Sequence, residues 1–147
     1  MSTIEARPDP ANRRVGPGVA VGVDEAMIRR VVHAFYAGVR KDPVLAPVFA
    51  RIAEHEWEAH LAKLCDFWSS VLLMTGRFKG RPMQVHAAMS EIEPYHFRRW
   101  LDLFGATVRE VCPPPAAALF AAKAEMIAES LQLGIAVSRG QLPGLRR

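Results

Sequence analysis

The spacing of the apolar residues constrains this chain most. Ile28, Val31, Val32, Phe35, Tyr36 and Val39 recur at i, i+3, i+4, i+7, i+8 and i+11, which is one face of a helix, and Asp24 stands before them as an N-cap. Asp42-Pro43 ends that segment, and Pro43 to Ala50 leaves room for a short helical turn carrying Phe49. A further helix is expected from about Glu54 to Met74, with Trp57, Leu61, Leu64, Trp68, Val71 and Leu72 on its buried stripe. Thr75 to Arg81 reads as a loop, and Pro82 opens a short helix that ends before Ser90. Pro94 starts the next helix, which aligns Phe97, Trp100, Leu101, Phe104, Val108 and Val111. Pro113-Pro114-Pro115 stops it and starts a last, alanine-rich helix to about Ser138, carrying Phe120, Ile127 and Leu131. No stretch alternates with a period of two and no repeat occurs, so the fold class is all-α.

Residues 1–22 hold three prolines and three glycines without helical periodicity, and are read as a flexible arm with no stripe to bury. The domain is placed at 23–140 and a short tail at 141–147. At 147 residues, 50% of them hydrophobic and 23% charged, the chain is sized for one ordinary globular domain. Its longest aliphatic run, Val71-Leu72-Leu73-Met74, falls far short of a membrane span, and residues 1–16 lack the apolar stretch of a secretory signal. Cys65 and Cys112 are far apart and form no paired motif, which suits buried thiols and a cytoplasmic location. The net charge of +4 lies partly in the tails, and no basic stripe interleaved with aromatics marks a nucleic-acid surface. Arg98-Arg99 reads as a solvated helix face.

Chemistry is sought among polar residues riding on apolar stripes: Tyr36, His60, His86 and Trp100. Each is either a satisfied core group or part of a shared pocket. His55-Glu56-Trp57-Glu58-Ala59-His60 looks like a zinc-binding HExxH box with one residue too many. At about 100° per residue, positions i and i+5 diverge by about 140°, so the two imidazoles cannot share one zinc. His86 is placed differently. It follows a Gly-Arg-Pro turn, with Phe78 and Met83 before it and Met89 after, in apolar surroundings where one imidazole could hold a flat apolar cofactor.

An ordered series of landmarks narrows these possibilities. Phe35-Tyr36-Ala37-Gly38-Val39-Arg40-Lys41-Asp42, Pro47-Val48-Phe49, Trp57-Glu58-Ala59-His60 and Asp66-Phe67-Trp68 are followed by Phe78-Lys79-Gly80-Arg81-Pro82, His86 and Phe97-Arg98-Arg99-Trp100-Leu101-Asp102-Leu103-Phe104. Together they resemble the group III truncated haemoglobins over roughly residues 26–137. The resemblance implies a shortened globin, a two-over-two helical sandwich around haem b, with His86 as the proximal iron ligand. It places Tyr36, His60 and Trp100 around a diatomic ligand (O2, CO or NO). Phe49 corresponds to the aromatic on the haem face, while Leu64, Phe67 and Trp68 line the distal helix. Phe78 stands where relatives often carry Tyr, and Lys63 where a cation often meets a haem propionate. A ligand that gathers negative charge, as oxygen does, would be stabilised by the Tyr36 hydroxyl and the Trp100 indole N–H. The expected activity is tight oxygen binding with oxidative chemistry, nitric oxide dioxygenation or peroxidase-like, supported by an unknown reductant. The alternative is a non-haem helical interaction domain whose aromatics are plain core.

Overall fold

Asp24 opens the first helix as the spacing predicts: its Oδ1 accepts from the Met27 N–H at 2.9 Å, satisfying one of the free donors of the first turn. The structure, a computed structural model, describes residues 15–81 and 92–140. The helix expected from Pro82, with Met83, His86 and Met89, lies outside the described residues, as do residues 1–14 and the tail 141–147. Among the described residues every regular element is helical. These are α1 (Glu25–Val39), α2 (Ala46–Phe49), α3 (Trp57–Leu73), α4 (Pro94–Val111) and α5 (Pro114–Ser138), with single 3-10 turns at Val19–Val21 and Glu54–Glu56. The expected start of the third helix at Glu54 resolves into that second turn followed by α3. Pro94 and Pro114 both sit in a first helical turn, where a missing N–H costs nothing.

α1 packs against α3 and α4, and α4 runs along α5. The stripe Ile28, Val31, Val32, Phe35, Tyr36 and Val39 is wholly buried. At the centre Trp100, Phe104 and Trp68 form a parallel stack, with centroids 5.2 Å apart at both steps and interplanar angles of 1° and 11°. Phe35 meets Trp100 and Phe104 edge-on, at 5.4 and 5.0 Å. Burying each such ring contributes about 2–3 kcal/mol, and the offset and edge-on geometry adds about 0.5–1.5 kcal/mol per pair.

Two polar ties fix the ends of these helices. Asp42, its side chain 3% exposed, accepts from the Val44 and Leu45 N–H groups at 3.1 and 3.0 Å and from Arg99 Nε at 2.7 Å. Arg99, read as part of a solvated face, thus ties α4 to the turn after α1, and its guanidinium holds the Asp42 carboxyl below its ordinary range. At the other end Glu25 takes both Nη atoms of Arg77 at 3.0 Å and the Ser69 hydroxyl at 2.8 Å, and Arg77 Nε reaches Asp66 at 3.1 Å. This network anchors the loop after α3 to α1.

At the end of the stretch read as an arm, Gly16 and Gly18 are packed against α3. Gly18 N–H donates to the Leu72 carbonyl at 2.8 Å, satisfying an acceptor at the end of α3. An apolar stripe is not needed for this contact, because two glycines let backbone meet backbone. A Cβ on Gly16 would lie 2.2 Å from Leu72 O and 2.7 Å from Leu73 Cα. Gly16→Ala is therefore expected to destabilise the fold by about 1–3 kcal/mol, the usual cost of overpacking against atoms that cannot turn away. Urea unfolding measures this; a loss below about 0.5 kcal/mol, the level of a neutral surface change, would show that the segment is not held against α3.

Candidate functional site

Tyr36, on the last full turn of α1, is 5% exposed, and four aromatic rings gather around it. Phe49 from α2 lies 5.6 Å away, Trp57 and His60 from the first turn of α3 lie at 6.4 and 6.0 Å, and Phe35 lies at 4.7 Å. His60 in turn stands 5.4 Å from Trp57 and 6.4 Å from Phe49. Three elements thus bring one phenol, one imidazole and three apolar faces together. The parallel stack fixes the Trp100 ring behind them.

The polar groups in this setting are unusually constrained. Burial pushes the Tyr36 phenol up to about 12, and the Trp100 indole N–H, donating toward the phenolic oxygen, offsets part of that shift. Tyr36 therefore keeps its proton across the neutral and alkaline range. Burial and the charge of the exposed Lys63 lower the His60 pKa, which keeps the imidazole neutral at neutral pH. Its Nε2 is shut away from solvent and has no hydrogen-bond partner among the described residues. A buried polar nitrogen without a partner costs about 1–3 kcal/mol, so it points to a group that completes it. His55, by contrast, is exposed on the preceding 3-10 turn, and among the described residues no three of His, Cys, Asp and Glu gather to hold an ion.

The apolar surroundings are divided. One buried cluster is built around Phe35, Trp68, Phe104 and Phe120; a second contains Val48, Ile92, Phe97, Leu131 and Ile135. Phe49, Leu101 and Ile127 are only partly buried and pack against both. Large apolar side chains left half-covered at the seam of two clusters suit a flat apolar group that would cover them.

The remaining sequence-predicted residues fall in different places. Leu64 and Phe67 are half-buried on α3, and Phe67 lies 5.2 Å from Phe78 of the following loop. Trp68 is 2% exposed and belongs to the core stack, connected to the site through Phe104 and Trp100. Lys63 is exposed one turn beyond His60. His86 lies outside the described residues. His96, the other histidine on a patterned helix, accepts the Glu93 N–H at 2.9 Å with Nδ1, a role at the start of α4. Trp57 was legible only as core; its spacing three residues before His60 is the signal that places it on the same face.

No protein-family model matches the sequence. The chain is 30% identical over 113 residues to the Group 3 truncated hemoglobin ctb of Campylobacter jejuni, a match covering 75% of this chain and 89% of that relative. The crystal structure of group III truncated hemoglobin from Campylobacter jejuni aligns with a TM-score of 0.71 at 31% identity, over 75% of this chain and 89% of that one. The shortened globin fold expected from the sequence is thereby established, and this chain belongs to the group III truncated haemoglobins.

Proposed function

We propose that this chain is a haem protein that holds a diatomic ligand among Tyr36, His60 and Trp100, binding oxygen tightly for oxidative chemistry rather than for delivery. The observation that carries this reading is the buried Nε2 of His60, without a hydrogen-bond partner among the described residues, in a ring 6.0 Å from that of Tyr36. Haem b would supply an iron that binds the diatomic molecule and exchanges electrons with it. The half-covered side chains Phe49, Leu64, Phe67 and Leu101 would meet its apolar faces, with Phe78 beside Phe67. His86 would hold the iron, and Lys63, exposed at the rim, would reach a propionate.

The chain's own residues then act in three ways. Tyr36 donates its O–H to the outer atom of the ligand. Trp100, fixed by its stack on Phe104, donates to the Tyr36 oxygen and thereby aims that proton. The neutral His60 offers a second polar contact, while Phe49 and Trp57 exclude water. Donors already oriented in a dry site stabilise charge that develops on a ligand, which suits nitric oxide dioxygenation or peroxidase-like cleavage fed by an external reductant. Among the described residues no helix is long and apolar enough to cross a membrane; a cytoplasmic setting fits the unpaired thiols of Cys65 and Cys112.

Titration of the purified chain with haem tests the cofactor directly. The expected result is saturation at one haem per chain, with an intense Soret band and quenching of tryptophan fluorescence. A chain that yields no Soret band after haem addition, while keeping its helical content, would contradict the reading.

A further inference from the structure

Three elements that carry site rings, α1 with Tyr36, α2 with Phe49 and α4 with Trp100, are joined through one residue outside those rings, Asp42. Its backbone N–H donates to the Val39 carbonyl at 3.1 Å and its carbonyl accepts from the Ala46 N–H at 2.8 Å, so it closes α1 and opens α2. Its Oδ2 accepts from the Val44 and Leu45 N–H groups, which fixes the carboxylate in the turn. The other oxygen, Oδ1, takes both Nε and Nη2 of Arg99. With the carboxylate 3% exposed, this is a charge-assisted contact on a buried acceptor, firmer than a pair between two solvated side chains. Arg99 directly precedes Trp100, and neighbours on a helix point about 100° apart. Arg99 thus reaches the corner while Trp100 turns inward, edge-on to Phe35 at 5.4 Å, and Phe35 lies 4.7 Å from Tyr36. Trp100 and Phe104 both belong to α4, so their stack travels with that helix and sets no height against α1.

We propose that Asp42 and Arg99 form a clamp that sets the height of α4 against α1, and thereby places the Trp100 indole against the Tyr36 phenol in the orientation that ligand binding requires. The inference rests on the reading of the site given above. Asp42 and Arg99 are positioning residues, acting on the ligand only through Trp100 and Tyr36. A displacement of about 1 Å in a supporting group is enough to cost a site much of its effect, so a rigid corner outside the rings matters to what happens within them. The phenol registers the placement, since Trp100 offsets part of the shift that burial imposes on it.

The test reads hydrogen exchange at the indole N–H groups by NMR, on the full chain loaded with haem and carbon monoxide. The chain has three tryptophans, and Trp68, in the same stack but on α3, is the internal reference. Arg99→Leu is expected to speed exchange at Trp100 about tenfold, the scale of one charge-assisted bond, and to leave Trp68 within about twofold of wild type. Arg99→Lys keeps the charge but not the planar pair of donors, and is expected to give about threefold at Trp100. It carries the test should the leucine variant not fold. Oxygen release should quicken about three- to tenfold in Arg99→Leu. Adding Arg99→Leu to Tyr36→Phe should quicken it by less than about twofold more, because the clamp acts through the phenol. A chain that takes up no haem contradicts the reading of the site, while indole exchange in the chain as purified still tests the clamp. Three results overturn the clamp: Trp100 exchange within about twofold of wild type in the folded Arg99 variants, equal quickening at Trp68 and Trp100, or full additivity of the two substitutions in oxygen release.

Discussion

Tyr36→Phe is expected to speed oxygen release by about tenfold or more. A hydrogen bond to a charged acceptor contributes about 1.5–3 kcal/mol, and about 1.4 kcal/mol corresponds to a factor of ten. The phenylalanine keeps the ring contacts with Phe35, Phe49, Trp57 and His60 and loses only the hydroxyl, so the change isolates the donor. Trp100→Phe is expected to act in the same direction by a smaller factor. Trp100 acts on the Tyr36 phenol, whose elevated pKa it partly offsets, and a phenyl ring can retain the stack on Phe104. The phenol's elevated value, about 12, adds a pH signature. Tyr36 keeps its proton from neutrality to beyond the ordinary tyrosine value of about 10, so release should stay slow across that range. Stopped-flow release from wild type and both variants decides the matter. Rates for Tyr36→Phe within about twofold of wild type, a small fraction of one hydrogen bond, would mean that the phenol does not hold the ligand.

The parts of this molecule most legible in the sequence are those governed by helical period and by proline. Asp24, Pro94 and Pro114 open helices as expected, and the α1 stripe is buried without exception. Periodicity reports which face of a helix is apolar, but it does not report which side chains from different helices meet. Trp57 and Trp68 are equivalent by that measure, yet one stands in the site ring and the other in the central stack. Arg99 was unreadable for a related reason. Its partner Asp42 is 57 positions away, and local charge patterning carries no trace of a tertiary ion pair. The packing of Gly16 and Gly18 was hidden because glycine contacts are made by backbone, which leaves no apolar signal. The family landmarks supplied what periodicity lacked, since their order along the chain implied which helices share the pocket.

His86→Ala is expected to have the largest effect of all on the loaded protein. The assignment rests on the landmark series and on the single-imidazole attachment that haem requires, and the site proposed above would supply the opposite side. His60 has a buried nitrogen without a partner among the described residues, but it stands among Tyr36, Phe49 and Trp57, where a ligand rather than the iron's permanent attachment is expected. His96 is engaged by the Glu93 backbone, and His33 and His55 are exposed. Removing the iron's protein ligand should weaken haem retention by about 10–100-fold or more, the scale seen when even the supporting shell of a metal ligand is lost. The most direct measurement is the resonance Raman spectrum of the ferrous, ligand-free, haem-loaded chain. The expected result is an iron–imidazole stretching band in wild type and in His60→Ala that is absent from His86→Ala. A band that survives in His86→Ala and disappears in His60→Ala would contradict the account, because it would put the iron on the side where the ligand is supposed to bind.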